Sequence, residues 1–144
     1  MKCVLDAGVA LKWFFADRAD ERLVAQAIAL LRRFHTGEDR FLCPPHFMAE
    51  MAAVLARELP ETANDGVNDL LTMTWETTAD EVVYHRAISL AKTLDYHLFD
   101  TIYHAVALVH GATLVTADAK YFKKAKALGA MIWLEDVAKA LPRR

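Results

Sequence analysis

The sequence predicts an α/β fold: one domain over residues 1–144, with a central, mainly parallel β-sheet flanked by α-helices in three layers. Two observations carry that prediction. Short runs that are apolar at successive positions alternate with stretches of helical periodicity, the pattern of strands buried on both faces and joined by helical crossovers. The chain has 144 residues, 55% hydrophobic and 25% charged, with only 5 Gly and 4 Pro. That is one domain's length on a scale of roughly 100–200 residues, and the composition excludes disordered, collagen-like and low-complexity classes.

Lys2 to Leu5 forms the first run, ended by Asp6. After the aromatic segment Trp13-Phe14-Phe15 and a polar stretch through Glu21, the positions Leu23, Val24, Ala27, Ile28, Leu31 and Phe34 follow helix spacing. Phe41-Leu42-Cys43 is a second strand, stopped by Pro44-Pro45. Pro45 suits the first turn of a helix carrying Phe47, Met48, Met51, Val54, Leu55 and Leu59. Residues 62–69 are the most loop-like segment, with Val67, Leu70, Leu71 and Met73 leading into a short helix. Asp80 is placed to cap a helix through Val82, Val83, Ala87, Leu90, Ala91 and Leu94, and residues 99–110 repeat the pattern until Gly111 closes it. Residues 112–116 read as a strand, 118–128 as a helix, 131–134 as a last apolar run, and a short helix ends the chain.

With 17 Lys and Arg against 19 Asp and Glu the net charge is −2, so any polyanion must be met by local charge rather than by the whole surface. Cys3 and Cys43 lie in apolar runs without metal-ligand spacing and read as buried reduced thiols, which points to a reducing cytoplasm. Asp6 falls where the apolar core of a secretory signal would run, and no stretch approaches ~18 uninterrupted apolar residues. Neither export nor membrane insertion is expected.

In open parallel sheets, ligands bind beyond the carboxyl ends of the strands. Asp6 and Asp118 both follow predicted strands and are expected on one edge of the sheet, where either could also serve as a helix cap. Glu50 stands among Ala, Met and other apolar residues, and Asp100 opens a strongly apolar helix. Taken singly, an exposed helical stripe or the helix dipole accounts for these two. Together, four carboxylates are costly: at ~5 Å and an effective dielectric near 20, each pair repels by about 3 kcal/mol. Several such pairs rival the ~5–15 kcal/mol stability of a domain. If they converge, a divalent cation is the natural compensator, and an all-oxygen set points to Mg2+ or Mn2+ rather than Zn2+.

The segments Val4-Leu5-Asp6, Pro44-Pro45 ahead of Glu50 and Val54-Leu55, Phe99-Asp100-Thr101-Ile102-Tyr103-His104-Ala105, and Leu114-Val115-Thr116-Ala117-Asp118-Ala119-Lys120-Tyr121-Phe122 resemble the ordered acidic motifs of PIN domains. Their order, the length and the C-terminal motifs most resemble the VapC toxin branch, the nuclease half of type II toxin–antitoxin pairs. The resemblance implies that Asp6, Glu50, Asp100 and Asp118 are the catalytic and metal-binding residues, with Thr116 as a polar support and Mg2+ or Mn2+ as cofactor. It also implies an RNA substrate, a homodimer, and a VapB-like antitoxin whose C-terminal segment masks the site. Gly8 and Ala53 depart from the family pattern, where many members carry Ser or Thr and Asn. Both departures remove hydrogen bonding around the ligands, a change that bears on metal affinity.

The implied reaction is hydrolysis of an RNA phosphodiester by metal-activated water, in keeping with a sequence that has no GxSxG elbow, P-loop or cysteine motif. Lys12 and Lys120, the latter with Lys123, Lys124 and Lys126, are candidate phosphate contacts, against the plainer reading of a solvated helix face. Trp13, Phe14 and Tyr121 have rings that could stack on bases, although core packing suits them better. His46, His97 and His104 flank the acids without ligand spacing. Two other readings stay open at this level. One is another metal-dependent phosphohydrolase, although Asp6-Ala7-Gly8 lacks the second acid of a DxD motif; the other is a PIN-like binding module that has lost catalysis.

Overall fold

The structure, a computed structural model, describes residues 1–78 and 80–140. Apolar residues at successive positions leave opposite faces of a strand, and the chain uses this to build two cores on one sheet. The strands are β1 (Lys2–Leu5), β2 (Arg40–Cys43), β3 (Trp75–Thr77), β4 (Thr113–Thr116) and β5 (Met131–Trp133). They lie in the order β3-β2-β1-β4-β5, all parallel. The helices are α1 (Ala7–Leu11), α2 (Val24–His35), α3 (Phe47–Glu58), α4 (Ala63–Thr72), α5 (Glu81–Leu94), α6 (Leu98–His110), α7 (Ala119–Ala125) and α8 (Val137–Ala140). Val4, Leu42 and Leu114 stand side by side in register and join residues of α3 to α6 in one core. Cys3, Leu5, Phe41 and Val115 point the other way, against α2 and α8. The three-layer α/β/α arrangement is the one expected.

Local chemistry explains the element boundaries. Asp80 caps α5 by accepting the Val83 amide at 3.0 Å, and Gly111 ends α6 with a φ of 64°, a conformation that costs glycine little. Cys3 and Cys43 are free and buried, and burial pushes the Cys3 thiol up to about 12, so it stays protonated.

Two expectations need correction, and one strand went unpredicted. Residues 62–69 are not chiefly a loop, because α4 begins at Ala63. Its Gly66 weakens helix propensity but is needed for close approach: a Cβ there would lie 3.1 Å from the Phe14 ring and 3.2 Å from Leu55. Strand β3 carried no sequence prediction; three residues are too few for a period. It is held by Trp75 against Phe41 and by the Arg40–Glu76 ion pair. Pro45 lies in the turn before α3 rather than inside its first turn.

What this topology positions is the crevice beside β1. From β1 the chain winds outward to β2 and β3 on one side and to β4 and β5 on the other, so the loops leaving β1 and β4 diverge. Asp6 follows β1 directly, and Asp118 comes two residues after the end of β4.

Candidate functional site

The β1 ladder runs on into Asp6, whose amide donates to the Val115 carbonyl at 3.4 Å. The Asp6 side chain then caps α1, accepting the Val9 amide at 2.9 Å through Oδ1, while Oδ2 accepts the Thr116 hydroxyl. Thr116 turns the same Oγ1 toward its neighbour, accepting the Asp118 amide at 3.0 Å. One hydroxyl at the end of β4 thus ties together the two acids that flank the switch point. Asp118 caps α7 through Oδ1, which accepts the Tyr121 amide at 3.0 Å, and its Oδ2 accepts the Tyr96 hydroxyl at 2.8 Å. Both acids therefore cap a helix while lining the crevice.

Glu50 reaches the same crevice from the first turn of α3, where its Oε2 accepts the Tyr103 hydroxyl at 2.8 Å and lies 3.3 Å from His46 Nε2. Asp100 comes from the first turn of α6. All four acids line one cavity of about 400 Å3, together with Lys12 and a fifth acid, Glu21. Lys12 is buried, and its Nζ lies 2.7 Å from Glu21 Oε1. Five carboxylates thus face one base that already has a partner.

The electrostatics follow from that imbalance. Asp6 opens to the cavity on one side but lies deep among protein atoms. Burial pushes its carboxyl from 3.8 up to about 6, against the bonds from Thr116 and Val9 that favour the charge. Asp100 is raised by burial and then by Asp118 and Glu50. Burial and the neighbouring carboxylates hold the Tyr96 and Tyr103 phenols protonated, as hydrogen-bond donors. A pH prediction results. The folded value of Asp6 lies above its unfolded one, so its neutral form favours folding fully below about pH 4, and this contribution is lost as pH rises through 6. The loss is at most about 3 kcal/mol, less as cavity water solvates the group. Metal-free protein is expected to melt lower at pH 7.5 than at pH 5, and Asp6→Asn to reduce the difference, leaving the part that comes from Asp100; a wild-type melting point that rises over this range would contradict the assignment.

Among the described residues, no three His, Cys, Asp or Glu side chains stand close enough together to hold a metal ion as they are placed. The acids instead surround a cavity, and all offer hard oxygen donors. That suits Mg2+, which usually keeps several waters and takes one or two carboxylates.

Other candidates fall in different places. Lys120 stands outside the cavity, with its ammonium 5.8 Å from the Tyr96 ring, and Lys124 is tied to the carbonyls of Leu94 and Asp95. His104 is a core residue, bonded to the Tyr121 hydroxyl at 2.9 Å and the Gly129 carbonyl at 2.8 Å. Trp13 stacks near Phe41 and Trp75, and Tyr121 is buried. Gly8 lines the cavity; a Cβ there would meet Asp6 Oδ1 at 3.3 Å, yet Asp6 already has two donors. Ala53 is exposed. Sequence reasoning missed Glu21, Tyr96 and Tyr103. Only Tyr103 left a signal, being one helical turn beyond Asp100.

Comparison with known proteins settles the family. The PIN domain family model matches residues 3–128. The chain belongs to the PIN domain family. No curated protein sequence matches it significantly, but solved structures share the PIN fold at low identity. A chain of the toxin–antitoxin complex from Klebsiella pneumoniae is 16% identical with a TM-score of 0.66, over 92% of this chain and 97% of that one. VapBC-1 from nontypeable Haemophilus influenzae gives 17% and 0.66, over 94% and 99%. FitAcB from Neisseria gonorrhoeae gives 19% and 0.62, over 92% and 98%.

Proposed function

We propose that this PIN domain is a Mg2+- or Mn2+-dependent endoribonuclease, the toxin of a VapBC-type toxin–antitoxin pair acting in the cytoplasm. The observation that carries this reading is the cavity itself, in which five carboxylates and one paired lysine stand at the switch point of a parallel sheet. Such an excess of negative charge suits a divalent cation and, through it, a phosphodiester. Asp6, Glu50, Asp100 and Asp118 are the residues to hold the ion. A bound divalent ion supplies water activation and neutralises charge on the scissile phosphate.

The chain's own groups prepare the ligands. The Thr116 hydroxyl orients Asp6, Tyr96 orients Asp118, and Tyr103 orients Glu50. A carboxylate has about four lone-pair positions, so each retains acceptor capacity after these bonds. Because the Tyr96 and Tyr103 phenols stay protonated, they hold the acids in place without adding charge. In this reading Lys12, which lines the cavity paired with Glu21, and Lys120, outside it, are the candidate phosphate contacts. A VapB-like antitoxin and a second copy of the chain are the partners this reading adds, in line with structural neighbours that are themselves toxin–antitoxin complexes.

The test is cleavage of a mixed RNA pool by purified protein, free of any antitoxin. Cutting is expected with Mg2+ or Mn2+, to stop in EDTA and to return with excess Mn2+. Cutting that persists unchanged in EDTA contradicts the proposal, as does full activity of Asp118→Asn.

A further inference from the structure

Beside the acid-lined cavity lies a second one of about 520 Å3, and the two share Lys12, Glu21 and Ala117. The Lys12–Glu21 ion pair, largely shielded from solvent, is therefore part of the wall between them. The rest of the second cavity is formed mainly by Asp20, Arg22, Leu23, Trp133 and Glu135. Trp133 ends β5, is half-buried and rests against Phe122, with ring centroids 5.6 Å apart. It differs from Trp13 and Trp75, whose indole N–H groups are committed to the carbonyls of Ala27 and Leu70.

We propose that the second cavity is a nucleoside subsite, taking the base next to the scissile phosphate of a single-stranded RNA. This rests on the nuclease reading of the acid site. Three observations support it. First, the cavities adjoin through a lysine that faces both, so a phosphate over the wall has a base on one side and the acids on the other. Second, the size lies within the roughly 300–1,000 Å3 of small-molecule sites, and the lining offers an aromatic ring and a guanidinium, both of which stack on bases. Third, Asp20 and Glu135 can only accept hydrogen bonds. They favour bases with an exocyclic amino group, namely adenine, cytosine and guanine, over uracil, whose pairing edge offers one N–H.

The test uses the full chain in Mg2+ and its three indole N–H signals in a proton–nitrogen NMR spectrum. On addition of AMP, CMP or GMP at millimolar concentration, the Trp133 signal is expected to shift saturably, and less with UMP, while Trp13 and Trp75 stay fixed. In RNA cleavage, Trp133→Ala is expected to raise KM at least tenfold and flatten base preference at one flanking position. Trp133→Phe should stay within a few-fold of wild type, and both variants should keep wild-type Mn2+ affinity. No Trp133 shift with any nucleotide overturns the subsite, and so does wild-type KM and base preference in Trp133→Ala. A chain that cuts RNA without the shift loses only the subsite. One that shows the shift but cuts no RNA keeps a nucleotide site and overturns its role in cleavage.

Discussion

Asp6→Asn is expected to abolish metal-dependent RNA cleavage, by at least 100-fold, while raising the melting temperature of the metal-free protein by several degrees. The two effects have one cause. The carboxylate at the end of β1 is buried deeply enough to be pushed up to about 6, so at pH 7.5 the folded protein carries a charge that costs more there than in the unfolded chain. Asparagine has the same shape and can still cap α1 through its oxygen, accepting the Val9 amide as Asp6 does. Relief of the buried charge is worth about 1–3 kcal/mol, reduced because an amide nitrogen cannot accept the Thr116 hydroxyl. In a domain of this size that is roughly 3–10 °C. Without the charge, the cation loses a central ligand, so Mn2+ added to the variant should no longer raise its melting point. Differential scanning calorimetry with and without Mn2+, run beside the cleavage assay, checks both halves. A variant that is destabilised without metal and still cuts RNA would refute them together.

Thr116→Val should act in the opposite sense on stability and in the same sense on function. The hydroxyl donates to Asp6 and accepts from the Asp118 amide, so valine leaves an acceptor and a donor unpaired at the base of the cavity. Each such loss costs about 1–3 kcal/mol, so the expected total is about 2–6 kcal/mol, less as cavity water reaches the freed groups. Loss of the bond that favours the charged form also pushes the Asp6 carboxyl further up. Groups that orient metal ligands typically affect affinity 10–100-fold, and Mn2+ binding should weaken by that amount. Thr116→Ser, which keeps the hydroxyl, should recover most of both losses. Equal effects of valine and serine would show that the methyl packing, and not the hydroxyl, is what matters.

Strand-like runs at Lys2 to Leu5 and at 112–116 made the sheet legible in the sequence, and with it the common edge for Asp6 and Asp118. Glu50 and Asp100 were legible for a different reason: a carboxylate amid apolar helix residues calls for an explanation. Less legible was whatever depends on contacts far apart in the chain. Gly66 signals a loop by propensity, yet it fits under Phe14 and Leu55, which a local pattern does not contain. β3 exists because Trp75 lies against Phe41 in a neighbouring strand. Tyr96 and Glu21 meet the site from loops, where no periodicity marks a direction. Lys12 was found by its closeness to Asp6, but its pairing with Glu21 was not visible in the sequence.

The central claim is that Asp6, Glu50, Asp100 and Asp118 together form a divalent-cation site, and it is tested most directly by titrating Mn2+ into metal-free protein and following free Mn2+ by electron paramagnetic resonance. The account predicts saturable binding by the wild type at pH 7.5, weakened at least tenfold in each of Asp6→Asn, Glu50→Gln, Asp100→Asn and Asp118→Asn, all of which remain folded. Absence of saturable binding by the wild type, or binding unchanged in the four variants, would contradict it.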